Sequence, residues 1–570
     1  MPTLPTELNE FKSLQTPVIF PMEFQVIDIE RTLTPILERA VCSGRLKRSK
    51  TSKDPDAYAD YLDQLNKADK ISGLEHDPGR RLAVINGWIR SSVVVFNRKG
   101  DKKNREGMDY VRPLTLGIYR SGLPTNQATS RKIDQWVYRT SLDELQKRGV
   151  DSPSKALKNL FLDALGKGLS FGIPISDNPK YEGAQEIDIN AMLAMSFLHG
   201  FPEPLRVGES GPEVVEVRKV RNIEEILFEP EAFRPIGQDV VNLLQLYGGT
   251  LSAIEVTDHL AALVAFRLFQ AQLRVARVLR ATIEKQSMEV VGRLRSTNPV
   301  EIYSDFTNGK DPHSEDLAKR CVQRDLNYCQ FLYQDRFLVQ ALLWAVPLLT
   351  GRGVDFSAMT MFEQVKYLID TRYEQDFQMA MRLIVERFRG TIGSEDNPSK
   401  DEWKAILEDL ENVQKLGPEE VLSNLMQQAQ RSNSGLGQQY MWFYSTGGMR
   451  TSNLHRGFAI LAGTQGHKST WKYAMTDSVL TSIILLCFVE GNGSRTSKTL
   501  RLEVLLQRMK DRFGILVAEP PSNMQSYENF QAASSNKRAF ISKLQLLGCY
   551  EGLSDDFSSQ RVRRPREASK

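Results

Sequence analysis

The chain has 570 residues, 41% of them apolar and 25% charged, a globular composition that excludes wholesale disorder. Its 74 Lys and Arg nearly balance 70 Asp and Glu, for a net charge of +4. The five cysteines (Cys42, Cys321, Cys329, Cys487 and Cys549) are scattered without a CxxC pair, which excludes a disulfide scaffold and suits a reducing, cytoplasmic compartment.

The first 125 residues read as mixed α/β. Phe24 to Ile29 and Ser92 to Phe96 are rich in Val, Ile and Phe and predict strands. The second runs into the turn Asn97-Arg-Lys-Gly100-Asp, which predicts a β-hairpin tipped with positive charge. Ala57 to Ala68 predicts a helix. Met1 to Pro21 lacks a positive start and an uninterrupted apolar core, so no signal peptide is read there. Two basic clusters lie in this part. Arg45, Lys47, Arg48, Lys50 and Lys53 occur without an acid among them, and Arg98, Lys99, Lys102, Lys103 and Arg105 are broken only by Asp101.

From Lys132 to Gly166 the apolar spacing is helical, with Asp151 or Ser152 placed to cap a helix through Leu165. Glu182 to Gly237 is broken by Pro and Gly and reads as a linker or small β element, with Val214 to Val220 alternating as a strand does. Leu251 to Leu294 has no Pro, and its first Gly is Gly292, which predicts a long helix with one break near Gln286. Arg267, Arg274, Arg277 and Arg280 lie among its apolar residues. The expected role is a central scaffold helix whose arginines pair with acids. Helical patterning continues over Asp316 to Leu349, Met361 to Arg389 and Lys400 to Gln430. Gln427 to Gly448 is polar and Gly-rich, and reads as a mobile segment between domains. The longest apolar runs, Phe337 to Leu349 and Val479 to Val489, are shorter than the ~20 residues of a membrane helix, so no membrane partner is expected.

The C-terminal hundred residues predict a buried helix, Ser478 to Phe488; an amphipathic helix, Thr499 to Phe513, stopped at Gly514; a short strand, Ile515 to Ala518; and a third helix, Glu528 to Leu547. A hairpin formed from Gly548 to Gly552 and Phe557 to Val562 follows. Three helices followed by a hairpin is the order of a winged helix, which serves either to read DNA or to bind protein. The last ten residues carry five basic groups and one acid, including Arg561, Arg563, Arg564 and Arg566, so the body before them is neutral at 69 against 69. Fixed positive groups of this kind neutralise phosphates.

No motif for chemistry is complete. Ala462-Gly-Thr-Gln-Gly466-His-Lys468-Ser469 lacks the leading Gly of a phosphate loop and has His467 where Gly must precede the Lys. His313, Cys321 and Cys329 are eight residues apart in turn, two helical turns, too far to share one ion. Gly208-Glu-Ser210-Gly211 and Ser152-Pro-Ser-Lys155 are partial nucleophile patterns, and Glu216 with Lys219 is the nearest approach to a nuclease. No catalytic residue, metal or cofactor is assigned.

Three C-terminal runs carry a family resemblance: Trp471-Lys-Tyr-Ala-Met-Thr-Asp477-Ser-Val-Leu, Arg512-Phe-Gly-Ile-Leu-Val517 and Leu544-Gln-Leu-Leu-Gly-Cys-Tyr-Glu-Gly-Leu-Ser-Asp555. They resemble the ends of large proteins from multi-gene bacterial anti-phage loci, notably methylation-associated defense systems. The resemblance implies an accessory subunit working beside a methyltransferase, an ATPase and other effectors. The expected fold is mostly α with small β elements, a multidomain helical body ending in a winged-helix-like unit. The expected division is 1–125, a mixed domain with basic loops; 126–236, helical segment and linker; 237–455, helical core; and 456–570, the winged-helix-like domain with its basic tail. The expected function is a non-catalytic accessory subunit that binds DNA or another nucleic acid, scaffolds partner subunits, or does both. The alternatives are a viral nucleoprotein coating single-stranded RNA, and a cryptic nuclease or other enzyme.

Overall fold

The computed structural model describes residues 19–24, 26–41, 43–44, 77–98, 106–111, 131–165, 223–298, 300–392, 400–412, 416–429, 436–449, 457–464, 466–491, 493, 495–551 and 560–565. Leaving aside the short helices Ile223–Ile226 and Val346–Thr350, the first helices in chain order are α1 (Ile29–Val41), α2 (Pro78–Trp88), α3 (Ile133–Lys147), α4 (Pro153–Leu165), α5 (Arg234–Tyr247), α6 (Ala253–Ile283), α7 (Met288–Ser296) and α8 (Pro312–Leu343). Then follow α9 (Met361–Thr371), α10 (Gln375–Ile392), α11 (Lys400–Asn412), α12 (Pro418–Ala429), α13 (Leu436–Thr446), α14 (Asp477–Cys487), α15 (Leu502–Phe513) and α16 (Tyr527–Leu546). The strands are β1 (Val94–Arg98), β2 (Glu106–Val111), β3 (Ile302–Tyr303), β4 (Leu461–Ala462), β5 (Lys472–Tyr473), β6 (Val489–Glu490), β7 (Arg495–Thr496), β8 (Thr499–Arg501), β9 (Ile515–Leu516), β10 (Tyr550–Glu551) and β11 (Arg561–Arg563). The protein is mostly α with small β elements, as its sequence predicts.

Helix α6 is the axis. Ser252 opens it with a capping box, its side chain accepting from the Glu255 amide while Glu255 accepts from the Ser252 amide. From Leu260 to Leu279 every side chain is buried, because α5, α8, α13 and α14 pack around the helix. The break expected near Gln286 lies between Ile283 and Met288, where Ser287 caps α7. A continuous hydrophobic core runs from Ile19 to Val562.

The four arginines of α6 are held by acids of other elements. Arg267 pairs with Asp239 of α5 at 2.6 Å, Arg274 with Glu229 at 2.9 Å, Arg277 with Asp325 of α8 at 2.6 Å, and Arg280 with Asp335 of α8 at 3.1 Å. A charge taken out of water needs a partner, so these arginines serve the scaffold, as their position among apolar residues predicts.

Several expectations are corrected. Phe24 to Asp28 holds no strand among its described residues. Ile29 already begins α1, because Ile29, Leu33, Ile36 and Leu37 recur at helical spacing and are all buried. The segment read as a linker is helical over its described end, since α5 starts at Arg234 and contains Gly237. The segment read as mobile contains α13, whose Trp442 and Phe443 are fully buried beside α6 and α8. Lastly, Thr499 to Arg501 is a strand, and the amphipathic helix starts only at Leu502. The hairpin β1–β2 is present, with Arg98 opposite Glu106. The helix expected over Ala57 to Ala68 and the strand over Val214 to Val220 lie outside the described residues.

Candidate nucleic-acid interface

The C-terminal unit begins with α14, which has Thr476 at its N-cap position and is buried along most of its length. Strand β8 follows, then α15, which Gly514 ends in the left-handed conformation at φ 64°. A Cβ at Gly514 would lie 1.9 Å from the Val300 carbonyl oxygen, so only glycine fits the turn that sends β9 alongside β3 in parallel register. Helix α16 then crosses back, and β10 and β11 complete a three-stranded antiparallel sheet in the order β10-β11-β8. In order the unit runs α14, the small β6–β7 hairpin, β8, α15, β9, α16, β10 and β11, with β8 pairing against β11.

The sheet has two unlike faces because side chains alternate along a strand. Leu500 and Val562 face each other inward and are buried. Arg501 and Arg561 face each other outward and are exposed, and Arg563 lies outward opposite Thr499. Lys498, the residue before β8, is exposed. On the far side of Arg561 the register sets Glu551.

The basic residues named from the sequence are therefore placed unequally. Arg561 and Arg563 stand on the exposed face. Arg564 turns inward, donating to the Thr496 hydroxyl at 3.0 Å beside Tyr247. Arg98 ends β1 in backbone pairing. Arg45, Lys47, Arg48, Lys50, Lys53, Lys99, Lys102, Lys103, Arg105 and Arg566 lie outside the described residues. Sequence reasoning missed Arg501 and Lys498, since Thr499 onward reads as helix. The available signal was the polar–apolar–polar alternation of Thr-Leu-Arg before the helix.

Helix α16 is anchored along one stripe: Ala533, Asn536, Phe540 and Leu544 are buried. The Asn536 side chain accepts from the Phe306 amide and donates to the carbonyls of Ser304 and Val517. Of its three cations, Lys543 is paired with Asp477, Lys537 is half-buried and Arg538 is exposed. Tyr527, Phe530 and Leu546 are exposed on the same helix.

The loop that resembles a phosphate cradle is the connection of the antiparallel hairpin β4–β5. Several of its described polar groups bond within the loop. The Thr470 hydroxyl accepts from the Thr464 amide and donates to the His467 carbonyl, and the Trp471 indole donates to the Thr464 carbonyl. Lys468 lies over the Tyr440 ring, 3.3 Å from its centroid.

The buried titratable groups near this loop are equally committed. Asp325 takes Arg277, Arg324 and the Tyr473 hydroxyl. Burial acts to raise its carboxyl, but Arg324 and Arg277 outweigh that and hold it below the ordinary carboxylate range. Asp305 accepts from Thr307 and Ser314, and Lys472 sits 3.6 Å away. Cys321, Cys329, Cys487 and Cys549 are buried and free. Burial pushes the Cys321 thiol up to about 11 and that of Cys487 to about 12, the opposite of an activated thiolate. Among the described residues no three His, Cys, Asp or Glu are grouped to hold a metal ion, and no helix is long and apolar enough to cross a membrane.

No match is found among the curated proteins or among solved structures. The family model described as Methylation-associated defense system protein MAD7 matches residues 9–566. The chain therefore belongs to that family, and its role lies in a methylation-associated defense system.

Proposed function

We propose that the chain is a non-catalytic accessory subunit of this defense system that grips DNA through its basic segments and scaffolds partner subunits, with 456–570 acting as a winged-helix unit. The observation that carries this reading is the C-terminal topology. Of the three strands between α14 and α15, the last, β8, pairs with β11, the returning strand of the final hairpin, as the closing strand of a winged helix does. That closure puts Arg561 and Arg563 on an open face. The basic clusters Arg45–Lys53 and Arg98–Arg105 add phosphate-neutralising charge at the other end of the chain. Among the cations of α16 only Arg538 is exposed, so binding would be led by backbone contacts and not by base readout. The exposed Tyr527, Phe530 and Leu546 favour protein contact on the same helix.

A non-catalytic role is supported by the ion pairs that hold the α6 arginines and by thiols pushed away from ionisation. Glu216 and Lys219, the nuclease expectation, lie outside the described residues. Family membership leaves the viral nucleoprotein alternative without support.

The test is binding of the full chain to a random-sequence duplex of about 20 bp, followed by fluorescence anisotropy between roughly 50 and 200 mM salt. Binding should weaken steeply with salt. Exchanging either N-terminal cluster for Gln should flatten the slope by about one for each phosphate that is no longer neutralised. A chain that shows no binding at the low-salt end and co-purifies with no partner would overturn the proposal. Tighter binding to single-stranded RNA than to the duplex would move the ligand from DNA to RNA.

A further inference from the structure

Arg501 and Arg561 are directly opposed across β8 and β11, both are exposed, and neither has an ion-pair partner among the described residues. Directly opposed residues in an antiparallel pair have Cβ atoms roughly 4.5–5.5 Å apart, where like charges repel. Among the described residues nothing relieves Arg501. Its neighbour on the outward face of β8 is Thr499. On the other side of the sheet the register offers one acid, Glu551, opposite Arg561 and not opposite Arg501. Arg563 lies two residues further along β11 on the same face, opposite Thr499.

The buried arginines provide the contrast. Each arginine of α6 meets a carboxylate. Arg564, next along the chain from the open face, is turned inward to Thr496. The fold therefore pairs its arginines where they serve structure and leaves the Arg501–Arg561 pair facing water. An opposed arginine pair is stabilised when one anion bridges both, and guanidinium forks match phosphate oxygens in geometry and charge.

We infer that Arg501, a residue outside the basic tail and clusters, forms with Arg561 and Arg563 a phosphodiester-binding face on the outer side of the C-terminal sheet, gripping the DNA backbone independently of sequence. The inference rests on the proposed DNA-binding role and names the surface and residues that carry it. Strand β8 supplies one jaw and β11 the other, so the grip exists only once the chain has closed the sheet between positions 501 and 561.

The test uses the full chain and three variants: Arg501→Gln, Arg561→Gln and Arg501→Lys. Each is titrated onto two duplexes of unrelated sequence across a salt series, and each is melted without DNA. Arg501→Gln and Arg561→Gln are each expected to weaken binding to both duplexes by the same factor and to lower the salt slope by about one. The melting temperature of Arg501→Gln should equal or exceed that of the unchanged protein, because repulsion is relieved. Arg501→Lys should keep the slope. If duplex binding is present and Arg501→Gln leaves affinity and slope unchanged, the inference falls while the DNA-binding role stands. If Arg501→Gln changes affinity for one duplex only, the contact is to bases and the inference falls likewise. If the unchanged protein does not bind either duplex, the functional reading itself fails, and this face with it.

Discussion

Arg277 and Arg561 carry the same guanidinium into opposite surroundings. Arg277 is buried on Asp325 at 2.6 Å and lies over the Tyr328 ring, whereas Arg561 stands in water opposite another arginine. Nothing in the local sequence separates them except the period of apolar neighbours, which marks the first as part of a core helix. The same logic applies to Asp335, buried on α8 against Arg280. Burial pushes its carboxyl up to about 6 in spite of the pull of Arg280. An unfolded Asp titrates near 3.9, so between about pH 4 and 6 the folded chain binds more protons than the unfolded one. The contribution of this residue is therefore most favourable below about pH 4 and is lost as pH rises through about 6. Asp335→Asn removes that dependence. Compared with the unchanged protein, the variant should gain on the order of 3 kcal/mol of relative stability between about pH 4 and pH 7. Urea unfolding at the two pH values measures the difference, and equal differences at both would refute it.

The regular elements are set by local rules that tertiary contacts then select. α6 and α9 each start with a capping box, at Ser252/Glu255 and Thr360/Glu363, and both starts are readable from the S/T-x-x-E pattern. Gly237 illustrates the other case. It reads as a helix breaker at the end of a Pro- and Gly-rich stretch, yet it sits within α5, where a Cβ would come 2.2 Å from the Thr140 carbonyl of α3. The glycine is a packing residue that lets two backbones approach. Gly237→Ala should raise helix propensity and still lower stability, by about 1–3 kcal/mol from overpacking. Thermal melting decides it, since a stabilised variant would show that the backbones have room to part. The strand β8 was hidden for a related reason: three residues ahead of an amphipathic helix share its apolar spacing, and only pairing with β11 makes them a strand.

At the scale of the molecule, the C-terminal unit is fastened to the helical body by contacts remote in sequence. β9 pairs with β3, Arg512 reaches Asp239 at 3.1 Å, and the Tyr247 hydroxyl donates to the Leu485 carbonyl at 2.7 Å. Trp442 and Trp471 both lie in the continuous core, where Trp471 stacks on Phe443. Unfolding in urea should therefore be one transition, with tryptophan fluorescence and far-UV circular dichroism coincident. A separate early transition would show that the C-terminal unit folds as an independent domain. Such fastening also fixes the arginine face relative to the body, which suits the proposed subunit, one that must hold DNA while partners act on it.

The sequence by itself determined the mostly helical class, the long central helix with its break, the three C-terminal helices and the family hint in their connecting runs. These depend on periodicities and caps read within a few residues. Only the tertiary structure decided which acid each α6 arginine meets, that Trp442 belongs to the core, and that Arg501 faces Arg561. Those outcomes depend on which distant segments meet, and a charged residue's role follows from what lies across from it in space.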